Sequence, residues 1–112
     1  GIDEIQLPLE KTEYANNIYW VYGLVLKQNS KKNVSDIISY LKENGIGSRN
    51  FFYPMHKQPV LVKKGYFKNV SLPISEYLSD NGFYIPSGLN LNEIEIRKVA
   101  KILINYFNRI SN

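Results

Sequence analysis

Hydrophobic residues along this chain follow two spacings, one typical of strands and one typical of helices. Ile18 to Leu26 is β-branched and aromatic nearly throughout, which predicts a strand buried on both faces. Gly23 inside that stretch indicates a bulge or a close approach of another part of the backbone. Gly47 to Tyr53 and Phe83 to Ile85 predict two further strands, whereas residues 2–12 are mixed and predict a loop or short lead-in.

Three segments carry apolar residues at helical spacing. The residues concerned are Val34, Ile37, Ile38 and Leu41 in the first, Ile74, Tyr77 and Leu78 in the second, and Ile96, Val99, Ala100, Leu103, Phe107 and Ile110 in the third. Asn33 can cap the first helix and Gly45 can end it. Pro73 suits the first turn of the second helix. Asn92 begins the third helix, and Glu95, three residues on, completes a capping box.

The order of these elements is strand, helix, strand, helix, short strand, helix. This order predicts a single α/β layer in which helices pack on a small sheet. The length of 112 residues suits one domain with a modest core. Val60 to Val70 is rich in lysine, predicts no clear element and is expected to be mobile.

Composition excludes several kinds of chemistry. Without cysteine, the chain can form neither a disulfide nor a thiolate site, and a lone histidine excludes a histidine-based metal cluster. The net charge of +4 comes from scattered or paired lysines, which we interpret as a solvated surface rather than a phosphate or nucleic-acid patch. No apolar run approaches the roughly 20 residues that cross a membrane. A cytoplasmic location fits these features.

The run from Ser48 to Pro59 carries the candidate chemistry. It holds three consecutive aromatic residues, an arginine, the only histidine and the only methionine, closed off by two prolines. This mixture predicts a strand that leaves the core and enters a polar site. Arg49 is either a surface salt-bridge partner or a clamp on phosphate or carboxylate. His56 is either a surface residue or a hydrogen-bond donor to an anionic or sugar group.

Other motifs predict structure rather than chemistry. Glu93 and Glu95 are better explained by the start of a helix than by catalysis, and no pair of carboxylates suggests an acid–base site. Tyr19, Trp20 and Tyr22 are residue types that stack on bases, but a core strand explains them better. A small α/β binding module would account for all of these features, although the aromatic spacing does not match the signature of RNA-recognition domains.

The same residues resemble a known family. The stretch Gly45 to Arg49, followed by the run Phe51 to Pro59, is similar to the C-terminal part of the DegT/DnrJ/StrS-type sugar aminotransferases, and most of all to their perosamine-synthase-like branch. The segments Tyr19 to Leu26, Pro73 to Leu78 and Gly82 to Gly88 resemble the family in the same order. The resemblance therefore covers essentially the whole chain.

The resemblance implies the small domain of a fold-type-I aminotransferase, with a mainly antiparallel three-stranded sheet covered by helices. Such enzymes depend on pyridoxal phosphate and transfer an amino group, usually from glutamate, to a keto group on a nucleotide-linked sugar. Members are commonly homodimers. The Schiff-base lysine sits in their large domain, preceded by serines and followed by glycines, and no lysine here has that setting.

Residues 1–112 are therefore expected to be the C-terminal small domain of a longer aminotransferase, inactive alone, with no catalytic, cofactor-binding or metal-binding residue of its own. The start at Gly1 instead of methionine agrees with a fragment. The resemblance implies that Arg49, Tyr53 and His56 bind the nucleotide-sugar, with Met55 as a packing neighbour. Asn50 departs from the proline expected after this arginine. The alternative is a stand-alone, non-catalytic module that binds a nucleotide-sugar or a protein.

Overall fold

Four strands form one sheet in the computed structural model, which describes residues 2–109. The strands are β1 (Ile5–Gln6), β2 (Tyr22–Leu26), β3 (Arg49–Asn50) and β4 (Gly82–Ile85); the helices are α1 (Val34–Glu43), α2 (Pro59–Lys63), α3 (Pro73–Asn81) and α4 (Glu93–Phe107), with a 3-10 turn at Met55–Lys57. The predicted α/β layer is confirmed.

The sheet is antiparallel throughout, in the order β1-β2-β4-β3. Strands β2 and β4 form its centre, with Tyr22 opposite Ile85 and Leu24 opposite Phe83. The prediction of three strands was wrong by one, because β1 lies in the segment expected to be a loop and pairs with the end of β2. A strand of two residues is too short to show an alternating pattern in the sequence.

The core lies between one face of the sheet and the helices α1 and α4. Its buried residues are Ile5, Leu24, Leu26, Val34, Ile37, Leu41, Ile46, Phe83, Val99 and Leu103. Within β2 only alternate residues are fully buried, so the predicted burial on both faces was wrong. The strand also starts later than predicted, at Tyr22, and leaves Ile18 and Trp20 exposed ahead of it.

Local capping signals in the sequence are confirmed by the helix ends. The side chain of Asn33 accepts a hydrogen bond from the Asp36 backbone N–H at 2.8 Å and caps α1. Gly45 follows the end of α1 with a φ of +74°, a conformation that favours glycine. At α4, Asn92 and Glu95 form the predicted capping box, with hydrogen bonds of 2.9 and 3.0 Å.

Helix α3 packs less closely on the sheet than its pattern predicted. Ile74 is 76% exposed and Leu78 is also exposed, so the predicted inner face is largely uncovered. The contact that does form is polar, because the Tyr77 hydroxyl donates to the Leu26 carbonyl at 2.5 Å. Pro73 occupies the first turn, as predicted, and Gly82 follows the last residue of the helix.

Helix α4 covers the sheet with only part of its predicted stripe. Val99 and Leu103 are buried, whereas Ile96 is exposed and Phe107 is half-buried. Ile110, the last residue of that stripe, lies outside the described residues. Within residues 2–109, no helix has both the length and the apolar character that crossing a membrane requires.

The lysine-rich stretch Val60 to Val70 begins inside α2 and continues as a series of turns. These turns use positive φ values at Gly65, Phe67 and Asn69. The sequence predicted no element here because the helical part is only five residues long. The expected mobility of the stretch stays a prediction.

The chain is less compact than a self-contained domain of its length. Its radius of gyration is 16.1 Å, against about 13 Å expected for this size. A long arm between β1 and β2 accounts for part of the difference, since its apolar side chains pack on little. The exposed members of this arm are Leu7, Leu9, Tyr14, Ile18 and Trp20.

Candidate functional site

The aromatic run leaves the sheet at β3, an edge strand. Arg49 lies opposite Tyr84 and Asn50 lies opposite Phe83, so the predicted strand is confirmed but covers only these two residues. Beyond them, the Phe51 backbone N–H still donates to the Gly82 carbonyl at 3.0 Å. The chain then turns through the 3-10 turn into α2.

The Phe51 ring is seated on two glycines of the central strands. A Cβ atom added to Gly23 would lie 2.7 Å from Phe51 Cζ, which is closer than side chains pack. A Cβ atom on Gly82 would overlap both the same ring and the Leu78 carbonyl. The sequence predicted a bulge or a close approach of backbone at Gly23, whereas the group that approaches it is the side-chain ring of Phe51, which packs the site segment against the sheet.

Arg49 lies exposed at the sheet edge. Because directly opposite residues in an antiparallel pair point to the same face, its side chain shares a face with Tyr84. Among residues 2–109, Arg49 has no hydrogen-bond or ion-pair partner, so the predicted surface salt bridge is not formed there. Its guanidinium group is available to an external anion.

His56 is buried, with 7% of its surface exposed, so the interpretation as a surface residue was wrong. Its Nε2 atom lies 2.8 Å from Glu76 Oε1, and the second oxygen of that carboxylate lies 3.1 Å from Lys57 Nζ. The Leu72 backbone N–H also donates to Glu76, at 3.3 Å. This network fastens the 3-10 turn to the first turn of α3.

Electrostatics in this network favour the ionised carboxylate. Hydrogen bonds from His56, Lys57 and the Leu72 backbone lower the pKa of Glu76 to about 2. The hydrogen bond to Glu76 in turn raises the pKa of Lys57. At neutral pH Glu76 is consequently an anion and Lys57 a cation, and the two form an ion pair.

Tyr53 lies between the edge strand and the 3-10 turn, with 55% of its surface exposed. Its backbone carbonyl accepts a hydrogen bond from the Gln58 side-chain amide at 3.2 Å. This bond closes the turn that carries His56. Met55, expected as a packing neighbour, is 65% exposed.

The three predicted substrate-binding residues lie on one segment but do not contact one another through hydrogen bonds or ion pairs within residues 2–109. Arg49 and Tyr53 are exposed, while His56 faces Glu76. Sequence reasoning missed Glu76 because the two partners are 20 residues apart. The available signal was an acidic residue in the first turn of a helix, which the helix dipole alone explains.

An open apolar groove of about 630 Å³ runs between the β1–β2 side of the sheet and α4. Tyr22, Leu24, Ile85, Val99 and Leu103 are among the residues that line it. The groove leaves part of the core in contact with solvent. A partner surface placed there would bury apolar area that this chain alone cannot cover.

The lysines of this chain offer a test for pyridoxal phosphate, since a Schiff-base lysine must be neutral to react. None of the 11 lysines is buried, and each lies exposed or half-buried on a turn, a loop or a helix surface. Lys57 has the opposite character to a Schiff-base lysine because Glu76 favours its charged form. The residues present do not fit the cofactor.

The structure is an α/β domain whose sheet edge carries the segment with Arg49, Tyr53 and His56. The chain belongs to the DegT/DnrJ/EryC1/StrS aminotransferase family, whose profile matches residues 2–104. The predicted family resemblance is confirmed.

Two relatives are similar to this chain in sequence. GDP-perosamine synthase of Vibrio cholerae is 28% identical over 107 residues, which are 93% of this chain and 29% of that protein. EpsN of Bacillus subtilis, a putative pyridoxal phosphate-dependent aminotransferase, is 26% identical over 99 residues, or 88% of this chain and 26% of its own length. The chain therefore spans less than a third of the relatives it matches.

Solved structures agree on the fold. A putative sugar aminotransferase from Streptococcus pneumoniae in its PMP form gives a TM-score of 0.77 at 18% identity, covering 93% of this chain and 26% of that one. The aminotransferase TlmJ from Streptoalloteichus hindustanus gives a TM-score of 0.75 at 14% identity, covering 96% and 28%. At these identities the likeness establishes the fold alone.

Proposed function

We propose that this chain is the C-terminal small domain of a longer pyridoxal-phosphate-dependent aminotransferase. The whole enzyme transfers an amino group from glutamate to a keto group on a nucleotide-linked sugar, for a polysaccharide or glycan precursor. The observation that carries the proposal is the family match over residues 2–104, combined with relatives more than three times as long. The name of the Vibrio cholerae relative supports a GDP-linked sugar as the substrate.

In this proposal the catalytic lysine and the cofactor site belong to the part of the enzyme outside residues 1–112. Two observations support that division: none of the lysines is buried, and Glu76 raises the pKa of Lys57 and so favours its charged form. Residues 1–112 alone are then inactive in transamination. No step of the cofactor chemistry is assigned to residues of this chain.

The role assigned to this domain is to position the nucleotide-sugar. Arg49 supplies an exposed guanidinium group for the diphosphate, and this group has no partner among residues 2–109. Tyr53 adds an exposed phenol on the same segment. His56 would act through Nδ1, since Nε2 is engaged by Glu76, and the network with Lys57 would hold the imidazole still.

The exposed apolar surface supports a larger assembly. The groove beside α4 and the exposed residues Leu7, Leu9, Tyr14 and Ile18 of the arm would be covered by the large domain of the same enzyme or by the second subunit of a homodimer. The low compactness of the isolated chain agrees with this view. We place the enzyme in the cytoplasm, with neither nucleic acid nor membrane as a partner.

The direct test is the gene upstream of the codon for Gly1. The proposal predicts an open reading frame of about 250 further residues, the size of a fold-type-I large domain, with a serine-flanked lysine before a glycine-rich stretch. A start codon immediately upstream would favour the stand-alone binding module and reject the enzyme. The purified longer protein should bind pyridoxal phosphate, with an imine absorbance that glutamate removes.

A further inference from the structure

Three aromatic rings form a row on the outer face of the sheet. The ring centroids of Trp20 and Phe52 are 6.4 Å apart with an interplanar angle of 11°, and those of Phe52 and Tyr84 are 6.3 Å apart with an angle of 26°. Trp20 is 75% exposed and Phe52 is 66% exposed. These two rings are therefore nearly parallel and largely open to solvent, although the sequence predicted that Trp20 lies in a core strand. We call Trp20, Phe52 and Tyr84 the aromatic row.

The row is fixed by contacts to the sheet from three sides. Tyr84 lies in the central strand β4, and Phe52 follows Phe51, whose ring is seated on the glycines of β2 and β4. The Trp20 carbonyl accepts a hydrogen bond from the Ser87 hydroxyl at 3.1 Å, just after β4. Such anchoring lowers the ordering cost of binding a flat ligand on the exposed rings.

A positive charge stands beside the row. Arg49 lies directly opposite Tyr84, and opposite residues of an antiparallel pair have Cβ atoms about 5 Å apart. Its guanidinium group has no partner within residues 2–109. A stack of rings next to an unpaired arginine complements a ligand that has both a planar base and a phosphate group.

We propose that the aromatic row is the base-binding site of this chain, with a purine stacked on Trp20 and Phe52 and the diphosphate of the same nucleotide on Arg49. This proposal rests on the proposed function, because the ligand is taken to be the nucleotide half of a nucleotide-linked sugar. A single arginine and two exposed rings match one nucleotide better than a nucleic-acid strand, which needs a longer basic groove.

The structure provides its own probe, because Trp20 is the only tryptophan. Titrating the 112-residue chain with GDP while following Trp20 fluorescence reports stacking on the row directly. We expect saturable quenching by GDP and by GMP, weaker for GMP because it has one phosphate group fewer. Ribose 5-phosphate and inorganic pyrophosphate, which lack a base, should not quench.

Variants separate the stacking from the charge. Phe52→Leu keeps the reporter and removes half of the exposed stack, and should weaken GDP binding by at least about 5-fold. Arg49→Gln should weaken GDP more than it weakens guanosine. Tyr14→Leu is the matched control, since Tyr14 is an aromatic residue with 91% exposure outside the row, and it should bind GDP like the parent chain.

Two results would overturn the proposal. One is the absence of saturable Trp20 quenching by GDP, which would leave the row as a surface that another protein domain covers. The other is GDP binding, measured by calorimetry, that Phe52→Leu leaves unchanged; nucleotide binding would then survive and the row would be excluded. If GDP quenches Trp20 but the gene has a start codon immediately upstream of Gly1, nucleotide binding by the aromatic row is supported and the proposed aminotransferase is rejected.

Discussion

The packing of the Phe51 ring on Gly23 gives a specific prediction about how the segment that follows β3 is held against the sheet. Replacing Gly23 with alanine places a Cβ atom 2.7 Å from Phe51 Cζ and 3.0 Å from Cε1, where ordinary contacts begin at 3.4 Å. The ring must move away from the sheet, and overpacking of this kind costs about 1–3 kcal/mol. The alanine also restricts the unfolded chain, which offsets about 0.4–1 kcal/mol. We expect a net loss of about 1.3 kcal/mol from the middle of these ranges, and of at most about 2.6 kcal/mol.

The assay is urea unfolding followed by far-ultraviolet circular dichroism, with the free energy of unfolding obtained by linear extrapolation. Gly47→Ala is the matched control because a Cβ atom there meets nothing within 4 Å. It should leave the stability unchanged or raise it by up to about 1 kcal/mol. Both variants replace one glycine with one alanine, so the comparison isolates the contact with the ring.

A double-mutant cycle identifies the ring as the cause. Shortening the side chain with Phe51→Leu should cost about 1–2 kcal/mol alone, from lost apolar contact. In the Gly23→Ala background it should cost less, because the smaller side chain relieves the overlap, and the coupling should be at least about 0.5 kcal/mol. This account of the contact would be refuted if Gly23→Ala were as stable as Gly47→Ala. It would also be refuted if the free-energy losses of Gly23→Ala and Phe51→Leu were strictly additive.

Two further predictions concern the core and the polar network. Leu41→Ala, at a fully buried position, should lower the free energy of unfolding by about 2–5 kcal/mol, and Leu9→Ala, at an exposed one, by less than about 0.5 kcal/mol; equal losses in urea would contradict the assigned core. Because the folded-state pKa of Glu76 is lowered to about 2, its contribution is complete above the unfolded value of 4.5 and is lost as the pH falls through about 2. The free energy of unfolding, measured by urea unfolding at a series of pH values, should therefore fall less towards low pH in Glu76→Gln than in the parent chain. The control Glu13→Gln, at an exposed position, should show the same fall as the parent. If the free energies of parent and Glu76→Gln fall in parallel with pH, the proposed network is refuted.

The sequence predicted best those features whose cause is local. Asn33, Gly45 and the pair Asn92 and Glu95 mark helix ends through contacts with residues at most four positions away, and each is found where expected. The same holds for Pro73 in the first turn of α3. Such signals depend on backbone chemistry that a neighbouring segment does not alter.

What the sequence could not predict depends on distant partners. Trp20 has the residue type of a core strand, but it lies ahead of β2, where its ring stacks with that of Phe52 and stays 75% exposed. His56 is buried because Glu76, on another helix, supplies its hydrogen-bond partner. The sequence predicted that Arg49 and Tyr53 lie on one segment that leaves the sheet. It could not predict which residues surround them, such as Tyr84 opposite Arg49, because these are distant in the sequence.

Steady-state kinetics of the full-length protein test the central claim most directly. With glutamate and a GDP-linked 4-keto-6-deoxy sugar, the account predicts amination, and Arg49→Gln should raise KM for the sugar nucleotide more than it lowers kcat, since Arg49 binds ground state and transition state alike. Arg97→Gln, an exposed arginine paired with Glu93 on α4, should change neither. A loss confined to kcat, or no amination by the unaltered protein, would contradict the claim that this domain positions the substrate of an aminotransferase.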